Sequence, residues 1–253
     1  MGAVGRISQA AAPAVRSGRL VLWDIDGTLL DSSGEEGVRL LRRALAQTHP
    51  GLPATIDLGD SHGKTDLQIA REVFSRLGVA EAEMEQLLLS FVKRYTAIAL
   101  ACRSETAARF PVLAGVAQVL SALTARGVGQ SVLTGNLEPV AQVKLASLGL
   151  LNHLDLSLGA FGSDDEDRTR LVAVARERAH RRWGAAPDQI VVVGDTPRDV
   201  ECARAGGARA VAVATGIYAV RQLAKARPDA VLPNLSHTPT AVSSILGLGE
   251  AAP

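Results

Sequence analysis

Aromatic residues make up only 3% of the 253-residue chain, cysteine occurs twice and lysine four times. So few rings offer no base-stacking platform. With 27 basic against 26 acidic residues there is no phosphate-neutralising stripe either, and nucleic acid is not an expected partner. Cys102 and Cys202 stand too far apart for a disulfide framework or a paired zinc-ligand motif, and both are expected as buried thiols. No run approaches the roughly 18 consecutive apolar residues of a spanning helix, and the first 18 residues lack the apolar stretch of a signal peptide. Neither a membrane nor an export route is expected, so the chain reads as cytoplasmic. Residues 1–18, rich in Ala, Gly and Ser, read as a flexible leader.

What the chain does have is 47% hydrophobic residues, enough for one large core or a core with a small satellite. Short apolar runs recur at Leu20–Trp23, Ser131–Leu133, Leu154–Leu158, Ile190–Val193, Ala210–Val213 and Ala230–Leu232. Between them lie helix-length segments at Gly115–Arg126, Glu138–Leu148, Arg168–Arg182 and Arg198–Ala205. That alternation predicts an α/β fold, a doubly wound parallel sheet with crossover helices. From Asp31 to about Arg109 the rhythm changes to helical patterning alone, at Glu35–Gln47, Asp66–Leu77 and Glu81–Ala101. A connection of that length and organisation predicts an inserted α-helical cap subdomain over residues 32–109, with residues 19–31 and 110–253 forming the core. The insertion follows the first strand, so it would sit over the edge where open α/β sheets bind ligands.

At that edge the first strand runs into Asp24-Ile25-Asp26-Gly27-Thr28-Leu29. Aspartates at i and i+2 on an extended segment project to one side. Two like charges held so close call for a cation such as Mg²⁺ or for acid–base work. An ordinary Asx-rich turn would look similar, and the other strand ends decide between the two. Thr134-Gly135-Asn136 follows the second apolar run, and Gly194-Asp195-Thr196-Pro197-Arg198-Asp199 follows Ile190–Val193. Parallel strands bring Asp24, Asp26, Thr134, Asp195 and Asp199 to one edge.

With these three motifs in the right order on the right strands, the chain resembles the haloacid dehalogenase-like hydrolases. Within them it is similar to the phosphoglycolate-phosphatase-like group that carries a helical cap after the first motif. The resemblance implies a Rossmann-like core and a phosphatase acting on a small phosphorylated metabolite. It implies Asp24 as nucleophile, forming an aspartyl-phosphate, and Asp26 as general acid and then general base. Thr134, with the backbone amides of Gly135 and Asn136, would hold phosphoryl oxygens. Mg²⁺ would be bound by Asp24, Asp195 and the main-chain carbonyl of Asp26, with Asp199 supporting that set from behind.

The group's usual motif lysine is absent, since no lysine lies between Lys144 and Lys225. Arg168 is placed in its role, with Arg170 as the rival and a solvated helix start as the bland alternative. Lys144, mid-helix after Thr134, reads as a surface residue. In the insertion, Gly63-Lys64-Thr65-Asp66 opens a helix. Lys64 is either a contact for an anionic substrate group or a free side chain beside a capping Thr65 or Asp66. His62, adjacent, is a weaker candidate. A phosphomutase of the β-phosphoglucomutase type and a non-catalytic binding module on the same fold remain open, as do the particular substrate and the oligomeric state.

Overall fold

The computed structural model describes residues 18–53 and 55–248. All but Gly18 of the expected leader therefore lies outside the described residues. Six strands form at Arg19–Trp23 (β1), Gly129–Thr134 (β2), Ala160–Phe161 (β3), Gln189–Gly194 (β4), Arg209–Val213 (β5) and Ala230–Leu232 (β6). They make one parallel sheet in the order β3-β2-β1-β4-β5-β6. The order reverses at β1, whose neighbours are β2 on one side and β4 on the other, and that reversal opens a crevice at the carboxyl edge.

The alternation of side chains along the strands sorts the core into two apolar layers. Val21, Trp23, Val191, Val193, Val211 and Val213 face helices at Val116–Ala125 (α5) and Thr238–Leu246 (α10). Leu20, Leu22, Ile190, Val192, Ala210 and Ala212 face helices at Leu171–Trp183 (α7), Pro197–Ala205 (α8) and Val220–Lys225 (α9). A fully buried leucine or valine of this kind contributes about 1.5–3 kcal/mol. The two layers hold the strand ends rigidly enough to carry chemistry.

One expected strand is corrected. Leu154–Leu158 is a 3-10 turn over Leu156–Leu158, because the Asp155 carboxylate accepts from both the N–H (3.1 Å) and the hydroxyl (2.6 Å) of Ser157. That local bonding removes the segment from the ladder, so the strand is only Ala160–Phe161, paired with Leu133 and Thr134. The thiols also differ from expectation: Cys202 is buried, but Cys102 is half-buried at the end of a helix.

Between β1 and α5 the chain forms helices at Glu36–Thr48 (α1), Asp66–Arg76 (α2), Glu81–Ala101 (α3) and Arg103–Arg109 (α4), with no named strand among the described residues. The buried face of α1 shows why this stretch is helical: the apolar Leu40, Leu41, Ala44 and Leu45 recur at i, i+1, i+4 and i+5. These side chains pack with Phe74, Met84, Phe91 and Ile98 into a third apolar cluster. Leu137 and Val140, at the start of the helix Glu138–Ser147 (α6) that follows β2, belong to the same cluster. The helical segment leaves and returns through a short neck, where Asp31 N–H donates to the Pro111 carbonyl (2.8 Å) and Leu113 N–H to that of Leu29 (3.0 Å). No helix of the described residues is long and apolar enough to cross a membrane.

Candidate active site

Three of the strand ends expected at the edge converge below one cavity of about 250 Å³, whose lining includes Asp24, Asp26, Thr134, Lys144, Arg168 and Asp195. Asp24 directly follows β1, and its N–H donates to the Val193 carbonyl (2.9 Å), so sheet pairing extends to the residue itself. Asp26 follows on a turn that Gly27 makes with φ +83°; a Cβ there would also meet the Asp195 carboxylate, so both backbone and space require glycine. Asp195 follows β4 and accepts from the Thr28 hydroxyl (3.3 Å).

Asp24, Asp195 and Asp199 bring one carboxylate oxygen each within 4.8 Å of one another, and all three are buried. Burial pushes Asp24 up to about 7; the Arg168 guanidinium opposes the shift, and the charges of Asp199 and Asp26 add to it. Burial, with the charges of Asp24 and Asp199, pushes Asp195 up to about 9. Carboxylates in this state are short of positive charge. An all-oxygen donor set of buried acids fits a hard divalent cation such as Mg²⁺, and no histidine or cysteine joins it among the described residues. Asp199 has other commitments: one oxygen accepts from the N–H (2.9 Å) and hydroxyl (2.7 Å) of Thr196 in a capping box on α8, and the other accepts from Arg168. Asp24 and Asp195 are therefore the better placed direct ligands.

Arg168 is buried, and its Nη2 donates to Asp24 Oδ1 (2.9 Å) as well as to Asp199. Burial alone would weaken its hold on the proton, but the Asp199 and Asp24 carboxylates keep it above its ordinary value. Its Nε is buried with no hydrogen-bond partner among the described residues. Arg170, the rival, is exposed and pairs with Asp165 and Asp167. The distinction arises because Asp167 caps the 3-10 turn Arg168–Arg170, so the two arginines leave it in different directions.

Thr134 is buried at the end of β2, where its hydroxyl accepts from the N–H (3.2 Å) and the side-chain amide (2.9 Å) of Asn136. The Gly135 carbonyl accepts from Asp66 N–H (2.8 Å), and a Cβ on Gly135 would run into the Lys64 carbonyl. Thr65 caps α2, its hydroxyl accepting from Gln68 N–H (3.0 Å) and donating to the Glu166 carbonyl (2.8 Å). Lys64 and His62 line the cavity, but the Lys64 ammonium is bound to both oxygens of Glu72 (2.8 and 2.6 Å).

Lys144 is a correction. Instead of facing solvent it is buried, with its ammonium on Asp26 Oδ1 (2.8 Å), Asp26 Oδ2 (2.6 Å) and Asn136 Oδ1 (2.8 Å). The sequence carried a signal for this: Leu137, Val140, Ala141 and Leu145 lie on the buried face of α6, and position 144 falls within that stripe. Asp66 was read only as a possible cap. Its carboxylate accepts from Leu137 N–H (2.8 Å), joining the helical segment to the core, and burial pushes its pKa up to about 7.

The pattern of the haloacid dehalogenase-like hydrolases matches residues 21–204, and a second, HAD-hydrolase-like pattern matches residues 171–238. A phosphoglycolate phosphatase of Xanthomonas campestris pv. campestris is 30% identical over 204 residues, covering 80% of this chain and 86% of that protein. Tyrosine-protein kinase PtkA of Mycobacterium tuberculosis is 29% identical over 208 residues, 82% of this chain but only 66% of PtkA, so the chain spans just under two thirds of that relative. The crystal structure of a predicted phosphoglycolate phosphatase from Haemophilus somnus 129PT shares the fold, with a TM-score of 0.62 at 20% identity over 88% of this chain and 96% of that one. With sheet order, strand-end carboxylates and sequence pattern in agreement, the chain belongs to the haloacid dehalogenase-like hydrolases, in their phosphoglycolate-phosphatase-like group.

Proposed function

We propose that the protein is a Mg²⁺-dependent phosphomonoesterase of the cytoplasm that hydrolyses a small organic phosphate through an aspartyl-phosphate on Asp24. The observation that carries this reading is the buried group of Asp24, Asp195, Asp199 and Arg168 at the floor of the cavity, with Asp26 beside it. Asp24, Asp195 and the main-chain carbonyl of Asp26 would hold Mg²⁺, which when bound neutralises acid charge and phosphoryl charge alike.

Arg168 binds Asp24 and orients it, and its unpartnered Nε is available to a phosphoryl oxygen. The Asp24 carboxylate attacks phosphorus, and the bond to the leaving oxygen breaks as Asp26 gives that oxygen a proton. In the second half Asp26 takes a proton from water, whose oxygen attacks phosphorus and releases phosphate from Asp24. Thr134, Gly135 and Asn136 line the phosphoryl subsite. Residues 32–109 act as a cap whose side chains, Lys64 among them, choose the rest of the substrate.

The test is release of inorganic phosphate from p-nitrophenyl phosphate and from a panel of phosphorylated metabolites, with Mg²⁺ and with EDTA. Release that requires Mg²⁺ supports the reading, and equal release in EDTA removes the metal from it. Conversion of a sugar monophosphate to its isomer without phosphate release would favour a phosphomutase. A parallel incubation with γ-labelled ATP and a tyrosine-containing protein tests for the tyrosine-protein kinase activity named for the PtkA relative.

A further inference from the structure

Burying an ammonium is costly unless every donor is matched by an acceptor or an aromatic face. Around Lys144 the match is complete: its three donors meet both Asp26 oxygens and Asn136 Oδ1, and the charge lies 5.1 Å from the centre of the Phe110 ring. Asn136 closes the figure, since its Nδ2 donates to Asp26 Oδ2 (2.7 Å) and to the Thr134 hydroxyl (2.9 Å). Asp66, a buried acid of the same wall, has its charge favoured by the Lys144 ammonium.

What these bonds restrain is informative. The Asp26 side chain is more exposed than that of Asp24, 29% against 8%, and it stands on a turn beyond the end of β1. Left alone, such a carboxylate rotates freely about its side-chain bonds. A purely structural pair would be expected to tie two elements together away from the cavity, but here both partners line it. We infer that Lys144 is a positioning residue: acting through Asp26, with Asn136 as the bridge, it fixes the plane of that carboxylate towards the leaving oxygen of the substrate. The inference rests on the phosphatase reading above and adds to it a residue outside the strand-end motifs. Its physical basis is that a displacement of about 1 Å in a proton-transferring group can cost on the order of 10²-fold in rate.

The experiment uses the full chain with Mg²⁺ and compares wild type with Lys144→Met, Asp26→Asn and the double variant on p-nitrophenyl phosphate and phenyl phosphate. Protonation of the leaving oxygen matters little for p-nitrophenol and much for phenol, so Lys144→Met should lose about 10²-fold in kcat on phenyl phosphate and markedly less on p-nitrophenyl phosphate. The inhibition constant for inorganic phosphate should stay unchanged, and Lys144→Arg should recover part of the loss. In the Asp26→Asn background, Lys144→Met should add nothing further, the signature of two residues acting through one. Equal losses on both substrates with a lowered melting temperature, or additive losses in the double variant, would overturn the positioning role. Weakened phosphate inhibition with kcat intact would make Lys144 a binding residue instead. Absence of hydrolysis by the wild-type protein is a separate result: it would overturn the phosphatase reading, and this assignment with it.

Discussion

The floor and the walls of the cavity are made differently. On the floor, Arg168 is buried with Asp24 and Asp199; Asp24 follows β1, Arg168 opens the 3-10 turn before α7, Asp199 lies in the first turn of α8, and the ion pairs are shielded from water. Lys64, in the wall, bridges a Glu72 that is 37% exposed, and behind that wall the charges of the helical segment are wetter still: Arg71 bridges Glu81 and Glu85, whose side chains are 81% and 71% exposed. Exposed pairs of this kind are worth about 0–1 kcal/mol and rearrange easily. The contrast teaches that the fold fixes the groups proposed to react firmly and leaves the surface proposed to choose the substrate adjustable.

The sharpest way to break the comparison is on the floor. Asp24→Asn keeps size and removes the proposed nucleophile, and steady-state turnover should fall by on the order of 10⁴–10⁶-fold with the far-UV spectrum unchanged. A rate near wild type would place the nucleophile elsewhere. Arg168→Ala should cost about 10²–10³-fold in kcat/KM, the scale of losing one preorganised donor, and Arg168→Lys should regain only part because the ammonium lacks the planar fork. Arg170→Ala, on an exposed residue, should be mild in the same assay. An effect as large as that of Arg168→Ala would show that the exposed pair matters to catalysis.

Two smaller effects probe the walls. Lys64→Ala should raise KM for a preferred metabolite by no more than about fivefold, in keeping with a partly exposed pair, and should change p-nitrophenyl phosphate hydrolysis less. A loss in kcat on both would move Lys64 to the floor. Asp66 is the one wall acid that behaves like a floor acid. Its pKa is raised by burial to about 7, so its contribution to stability is full below the unfolded value of 3.8 and is lost as pH rises through about 7. Asp66→Asn keeps an oxygen for Leu137 N–H without the charge. Between about pH 4 and pH 7 the melting temperature of the wild type should fall relative to that variant, and stay below it above pH 7. Parallel curves would show that folding leaves the Asp66 pKa at its unfolded value and would remove the shift.

The acids of the floor were legible in the sequence because Asp24 and Asp195 sit where an apolar run meets an acidic turn, a junction that needs no tertiary knowledge to find, whereas Arg168 came from the resemblance to the family's motif lysine. β3 was misplaced because a single Asp155 side chain captured the backbone of an apolar run. The wall was legible in outline, through helical spacing at α1, α2 and α3, while α4, α9 and α10 were not singled out. Lys144 was hidden for a different reason. Its helix packs on the core through Ala141 and Leu145 and on the helical segment through Leu137 and Val140, so two sides are covered and a lysine between them has no solvent to face. A helix read in isolation is assigned one wet side, and α6 has less of one than its composition suggests.

The neck has a mechanical consequence. Gly27 N–H donates to the Leu30 carbonyl (2.8 Å), and Leu30 also bridges Val112 on the returning segment. The turn that carries Asp26 is thus the first link of the tether that carries the whole helical segment. A tilt of that segment about its tether pulls on the backbone at Leu30 and, one hydrogen bond further, on the turn beneath Asp26. In the proposed reaction, the side chain that would transfer the proton and the helices that would choose the substrate hang from the same joint, so a change in the opening angle of the segment would reach the aim of Asp26 through covalent chain and these bridged turns.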